Sequence, residues 1–305
     1  MSNRTALVFS LSLSLFGSVG CDDATTTGSG GAGTSSSSTS KTVASGTTSA
    51  TTSASGSTGS GTPNGSAGCG TTASETPGSF VAKKLDVGGV ARDYFLYLPP
   101  GYDPTRAYPV VYQFHGCSSS PNKEDNNVPI EKHSGGDAII VRGRAVGDCW
   151  DSSSNGPDVA FFDAMVAAIE AGYCADTPRR VAAGYSSGSF MTHALACARG
   201  DALRAVASIA GGQTGSNCTG DVAALLIHDQ DDGTVNISAS IGARDQYLAA
   251  NGCAMTTQPF DPAPCMQYDG CKAGDPVVWC QTSGKGHDRQ DGLAGPAFWN
   301  FLSKL

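Results

Sequence analysis

Basic side chains are scarce in this 305-residue chain, where 19 Lys and Arg stand against 27 Asp and Glu for a formal net charge of −8. Nucleic-acid phosphates are held by clustered basic residues, so this balance argues against a nucleic-acid partner. No P-loop or dinucleotide glycine fingerprint occurs in a strand-to-helix setting, and no cofactor is implied. The 11 cysteines never fall into paired C-x-x-C halves, which argues against a zinc site, and no metal is expected. Histidines number only five (His115, His133, His193, His228 and His287), so few side chains are available for imidazole chemistry. Hydrophobic residues are 39% of the chain, below the roughly 45–50% of a typical globular protein, a reference that also counts glycine.

That shortfall is local. Residues 22–78 are mostly Ser, Thr and Gly, cannot bury enough apolar surface to offset ordering, and are expected to form a disordered linker. Residues 79–305 are of a size for a single core. Ahead of the linker, Arg4 precedes an apolar stretch, residues 6–16, too short to span a bilayer. Gly17-Ser18-Val19-Gly20-Cys21 follows, and small residues before a cysteine resemble a bacterial lipoprotein cleavage site. Residues 1–21 are therefore expected to be a lipoprotein-type signal, with Cys21 lipidated after processing; an ordinary secretory signal is the alternative. Either reading predicts export, with membrane contact only through a lipid at Cys21. A Gly/Ser-rich tether of about 50 residues has a root-mean-square span on the order of 40 Å, enough to carry a domain away from a membrane.

The most informative segment is Gly184-Tyr185-Ser186-Ser187-Gly188, preceded by the apolar run Arg180-Val181-Ala182-Ala183 and followed by a helix-like stretch up to Arg199. Strand, G-x-S-x-G and helix is the nucleophile elbow of α/β-hydrolases, whose sharp turn lifts one serine hydroxyl above the sheet. In that fold the partners follow in the order Ser, Asp or Glu, His. A second apolar run, Ala223-Ala224-Leu225-Leu226-Ile227, opens into His228-Asp229-Gln230-Asp231-Asp232, which offers three acids. Only His287 lies beyond them, so it is the candidate base for Ser186. The oxyanion donors are expected to be the backbone N–H of Ser187 and, from the turn His115-Gly116-Cys117 after a strand at 110–114, the N–H of Cys117.

From Cys69 onward the chain resembles the secreted feruloyl esterases of carbohydrate esterase family one, particularly the fungal type. The resemblance is carried by Ala67-Gly68-Cys69-Gly70, by Trp150 with Asp158-Val159-Ala160-Phe161, and by Ala194-Leu195-Ala196-Cys197-Ala198-Arg199. Arg204-Ala205-Val206-Ala207, Ala250-Asn251-Gly252-Cys253 and Asp269-Gly270-Cys271-Lys272-Ala273-Gly274 continue it. It selects the acid: the family reads His-Gly-x-x-Asp-x-x-Val, which His228, Asp232 and Val235 fit, leaving Asp229 and Asp231 as ordinary loop carboxylates. The chain departs from the pattern where Asp229 replaces the usual Gly and Ser189 replaces a second Gly after the elbow. His115-Gly116-Cys117, with Cys149-Trp150, is closer to bacterial polyhydroxybutyrate depolymerases.

Setting Cys21 aside leaves ten cysteines, an even set suited to disulfides in an oxidising compartment. Cys69, Cys174, Cys197, Cys218, Cys253 and Cys271 fall where the fungal-type esterases have theirs. The other four are expected to pair as Cys117–Cys149 and Cys265–Cys280, the first of which would stiffen the oxyanion turn.

Strands are predicted at 80–87, 92–98, 110–114, 138–141, 180–183, 205–210, 223–227 and 277–280, with helices at 158–172, 187–199, 237–250 and 296–305. This alternation predicts an α/β fold, a mostly parallel sheet flanked by helices on both faces, with a disordered N-terminal tail. His193 reads as a packing or surface residue on the post-elbow helix, and His115 and His228 as braces of strand-end turns. Trp150 is a candidate either for the substrate pocket or for anchoring its loop. Phe298-Trp299 with Phe301-Leu302 reads as the buried face of the last helix.

The function implied is an exported serine carboxylesterase, expected to be monomeric, that releases ferulic or related hydroxycinnamic acids from plant cell-wall polysaccharide. A depolymerase of polyhydroxybutyrate or short polyesters is the enzymatic alternative. A catalytically inactive, tethered carbohydrate-binding lipoprotein is the alternative of another class.

Overall fold

The computed structural model of the chain describes residues 64–120, 122–212 and 221–305. The expected signal at 1–21, the lipidation at Cys21, the linker up to residue 63 and Cys218 lie outside those residues.

Strands β1 (Phe80–Val87) and β2 (Val90–Tyr97) form an antiparallel hairpin through Gly88-Gly89. The alternating exposure of β1 marks it as an edge strand with one wet face. Six strands then run parallel: β3 (Tyr108–Phe114), β4 (Ile139–Gly143), β5 (Ala175–Tyr185), β6 (Ala205–Ile209), β7 (Ala223–Asp229) and β10 (Val277–Thr282). Strands β4, β6 and β7 are buried along their whole length, as expected where both sheet faces are covered. Two short antiparallel strands, β8 (Thr257–Pro259) and β9 (Cys265–Tyr268), close the far edge, and the sheet order is β1-β2-β4-β3-β5-β6-β7-β10-β9-β8.

Helices α1 (Pro157–Gly172), α2 (Ser187–Arg199) and α3 (Ser238–Ala250) cover one face. Phe161, Phe162, Met165, Met191, Leu195 and Tyr247 share one core there with Val110, Tyr112 and Phe114. Helix α4 (Asp291–Leu302) covers the other, where Phe298 and Phe301 meet Val111, Ile140 and Val181. The period-two alternation of β3 thus feeds two separate cores. After β3 the chain moves to β4 on one side, and after β5 it moves to β6 on the other. The crevice above the carboxyl ends of β3 and β5 is therefore the topological switch point, where open α/β sheets bind ligands.

Two expectations are corrected. The folded region begins before residue 79. Gly65 bridges Asp176, Ser66 N–H donates to Ala175 O (2.9 Å), Gly70 N–H donates to Pro104 O (2.7 Å), and Cys69 is bonded to Cys174. Residues 64–78 therefore belong to the domain and not to the linker; a disulfide and backbone bonds secure a stretch whose composition is too polar to reveal it. Helix α4 starts at Asp291, five residues ahead of the predicted 296, with Pro296 inside it. Strands β8 and β9 had no signal because both are short and neither carries an apolar run. Cys265 of β9 pairs in register with Cys280 of β10 and is bonded to it, which secures this weak edge covalently.

Candidate active site

β5 ends at Tyr185 and α2 begins at Ser187, leaving Ser186 alone to make the turn. Its backbone sits at φ 53°, ψ −118°, a conformation unusual for a residue with a side chain and held by its neighbours. Two glycines make the turn sterically feasible. A Cβ on Gly184 would lie 2.1 Å from Gly188 O, and one on Gly188 would lie 1.8 Å from Phe114 O. Neither neighbour can yield, because both are main chain. Gly188→Ala is accordingly expected to destabilise the protein by about 3 kcal/mol or more through overpacking. Thermal denaturation checks this; a melting temperature equal to the parent's would contradict it.

The structure brings three distant residues together at this rim. His287 Nε2 lies 2.9 Å from Ser186 Oγ, and His287 Nδ1 lies 2.7 Å from Asp232 Oδ2. With Nδ1–H donating to the carboxylate, Nε2 is left free to accept from the serine hydroxyl. Ser186 and His287 are partly exposed, whereas the Asp232 carboxyl is sealed. Asp232 Oδ1 also accepts the N–H groups of Thr234 (2.8 Å) and Val235 (2.9 Å). Burial pushes the Asp232 carboxyl up, but the bonds from His287, Val235 and Thr234 outweigh it and hold it below the usual carboxylate range.

His228 lies beneath Asp232. Its Nε2–H donates to Val235 O (2.9 Å) and sits 3.3 Å from Asp232 Oδ2, while Nδ1 bonds with the Ser240 hydroxyl. Fully buried, it braces the loop after β7, and burial lowers its pKa. His115 braces the turn after β3. Its Nε2 accepts from Ala145 N–H (3.1 Å), and its Nδ1–H donates to Gly116 O (2.7 Å).

A second serine–histidine chain lies inside the protein. His193 Nε2 meets Ser208 Oγ (2.9 Å), Nδ1 meets Tyr247 OH (2.8 Å), and Ser189 Oγ bonds to Ser208 Oγ. Ser189, His193 and Ser208 have no exposed surface, and burial drives the His193 pKa down to about 3. No substrate can reach this chain, so it is structural.

The turn carrying Cys117 is tied down twice: Cys117 is bonded to Cys149, and Ser118 N–H donates to Asp148 O (2.9 Å). Trp150 is only 7% exposed and packs edge-on against Phe114 with ring centroids 5.0 Å apart. Its indole N–H donates to His115 O (2.9 Å), and its backbone N–H donates to Ser187 Oγ (2.9 Å). The structure therefore uses Trp150 to anchor its loop against the elbow, and little of the ring is left to line a pocket. Among the described cysteines, Cys253 is bonded to Cys271, and Cys197 is also in a disulfide.

Sequence reasoning missed the groups that hold the His287 loop. Tyr185 OH donates to His287 O (3.1 Å), and Arg289 donates to the carbonyls of Asp125 (2.9 Å) and Asn127 (3.3 Å). Asp229 is not an ordinary loop carboxylate. It is the last residue of β7, has no exposed surface, and accepts from Thr282, Asp231, Lys285 and Gly286. Burial raises its pKa, but those four donors more than reverse the effect and depress it. Its one sequence signal was that it stands where the family pattern has glycine.

Asp229 and Asp232 together set an acid limit. A depressed carboxyl contributes stability that is fully present above its unfolded value, about pH 3.9, and is lost as pH falls through the lower folded value. The melting temperature of the parent should fall steeply below about pH 4. In Asp229→Asn that acid limb should be shallower, and an unchanged limb would contradict the linkage.

No protein-family model matches the chain. Feruloyl esterase D of Neurospora crassa is 30% identical over 268 residues, which cover 79% of this chain and 90% of that protein. Feruloyl esterase C of Emericella nidulans is 32% identical over 230 residues, 69% of this chain and 83% of its own. Among solved structures, the acetyl xylan esterase from Aspergillus awamori superposes with a TM-score of 0.56 at 14% identity, covering 73% of this chain and 99% of its own. A CE1 ferulic acid esterase from Anaeromyces mucronatus gives a TM-score of 0.50 at 19% identity, covering 78% and 95%. At these identities the solved structures speak for the fold, and the sequence relatives for the family. The chain belongs to the feruloyl esterases, carboxylic ester hydrolases built on the α/β-hydrolase fold.

Proposed function

We propose that this protein hydrolyses feruloyl and related hydroxycinnamoyl esters of plant cell-wall polysaccharide through a Ser186 acyl-enzyme. The observation that carries this reading is the hydrogen-bonded line Ser186–His287–Asp232 at the switch point of the sheet, in a chain whose relatives are named feruloyl esterases. His287 Nε2 takes the Ser186 proton as Oγ attacks the ester carbonyl. It then passes that proton to the departing sugar alkoxide as the C–O bond breaks. Water repeats the sequence with Nε2 again as base, releasing the hydroxycinnamate and restoring the serine. Asp232 holds the imidazole in the tautomer that leaves Nε2 free, and it stabilises the imidazolium formed at each transfer.

We assign the oxyanion donors to the N–H groups of Ser187 and Cys117. Ser187 opens α2, where the first N–H groups have no acceptor within the helix. The Cys117 turn is restrained by its disulfide, which limits reorganisation as charge develops. The disulfides also suit an exported enzyme.

The test is an ester panel run with the parent and Ser186→Ala side by side. Methyl ferulate and feruloylated arabinoxylan should be cleaved by the parent only. A hydroxybutyrate oligomer cleaved in preference to any ferulate would favour the polyester reading, to which the His115-Gly116-Cys117 turn gives a footing. No hydrolysis of any ester would leave the tethered binding protein.

A further inference from the structure

The segment between β10 and His287 has little of its own to hold it in place. Ser283, Gly284 and Lys285 are exposed, and both Gly284 (φ 71°) and Gly286 (φ 65°) lie in the left-handed region. Such a loop has many backbone conformations open to it, yet His287 must present Nε2 to Ser186 and Nδ1 to Asp232 at once.

The structure assigns this placement to Asp229: we propose that its buried carboxylate is the positioning residue for the catalytic histidine. Asp229 ends β7 and pairs in register with Thr282, which ends the neighbouring β10. Its Oδ2 accepts the Thr282 hydroxyl (2.7 Å) and the Lys285 N–H (3.1 Å), and its Oδ1 accepts the Gly286 N–H (3.1 Å). The Asp231 N–H (2.9 Å) completes Oδ1 and aims the carboxylate from its own side. One rigid anion at a strand terminus therefore grips the end of β10 at Thr282 and the loop after it at Lys285 and Gly286, the last being the residue immediately before His287. Exposed Asp231 adds a peripheral contact, accepting the Gly284 N–H (2.8 Å).

A glycine at position 229 would offer no side-chain acceptor, and these donors would lose their common partner. Asp229 touches neither Ser186 nor His287 by any hydrogen bond of the structure, and it acts through the loop backbone.

The consequence is kinetic. Displacing a reacting group by about 1 Å can cost on the order of 100-fold in rate, while ground-state substrate binding need not change. In Asp229→Ala, kcat per active site, counted by titration with a phosphonate, should fall about 10- to 100-fold with KM within about threefold. Asp229→Asn keeps one acceptor oxygen for Gly286 and Asp231, and should recover part of that loss. The low-field proton resonance of His287 Nδ1–H, identified by its absence in His287→Ala, should broaden in Asp229→Ala.

A merely structural role would lower the melting temperature and the titratable fraction while kcat per site and that resonance stayed as in the parent. That result would overturn the proposal. If Asp229→Ala does not fold, Thr282→Val removes one of the three contacts. It should lower kcat several-fold at unchanged KM, and parental kcat there would count against the proposal equally. The inference rests on His287 being the base. Activity surviving in His287→Ala defeats that reading itself, whereas a dead His287→Ala beside a fully active Asp229→Ala defeats only the role of Asp229.

Discussion

Ser186→Ala is expected to lower kcat on methyl ferulate by about 10,000-fold or more while the melting temperature stays within a few degrees of the parent's. The size of the effect follows from geometry. The hydroxyl that meets His287 Nε2 belongs to Ser186, it is partly exposed, and the strained backbone at that residue exists to present it. Removing it leaves only binding and the oxyanion donors, which on their own sustain a small residual rate. The contrasting variant is Ser189→Ala. Ser189 lies in the first turn of α2 with its side chain fully buried and bonded to Ser208, so its loss should show in stability and not in the rate per active site. The opposite pattern, activity lost with Ser189 and kept without Ser186, would contradict the assignment.

Asp232→Asn should cost about 1,000- to 10,000-fold in kcat. An asparagine retaining its carbonyl oxygen toward Thr234 and Val235 must turn its NH2 toward His287 Nδ1, where the carboxylate now accepts. The imidazole then carries its proton on Nε2, pointing at Ser186, and can no longer receive the serine proton. Asp231→Asn changes a neighbouring carboxylate of identical chemistry but keeps an acceptor for Gly284 N–H, and should remain within about twofold of the parent. Comparable losses in the two variants would show that charge near the loop, and not the tautomer of His287, is what matters.

The line Ser186–His287–Asp232 could be proposed from the sequence because each member follows a strand within five residues. Ser186, Asp232 and His287 follow β5, β7 and β10, whose apolar runs are easily read, and the chain order nominated His287 without any structure. Choosing Asp232 over Asp229 and Asp231 needed the family resemblance, since three acids within four residues look alike in one dimension. The structure separates them by what donates to each. Asp232 receives the imidazole, Asp229 receives three donors from the end of β10 and the loop after it, and Asp231 reaches outward to one peptide.

What stayed hidden was long-range. The Asp229 contacts span more than fifty positions of chain, as does the Tyr185 bond to the His287 carbonyl, and no local pattern encodes them. The same holds for residues 64–78. Their Ser- and Gly-rich composition reads as linker, yet Cys69 and the backbone bonds to Ala175 and Pro104 draw them onto the sheet. Pro296 suits the first turn of a helix, which hides a start five residues earlier. In the protein, Asp291 opens the helix instead, straight after the active-site loop.

The nucleophile can be identified by trapping with a p-nitrophenyl phosphonate ester, followed by peptide mapping of the adduct. One stoichiometric adduct is expected, on Ser186, formed in step with loss of ferulate hydrolysis, absent from Ser186→Ala and drastically slowed in His287→Ala. An adduct on any other residue, or full inactivation with Ser186 unmodified, would contradict it.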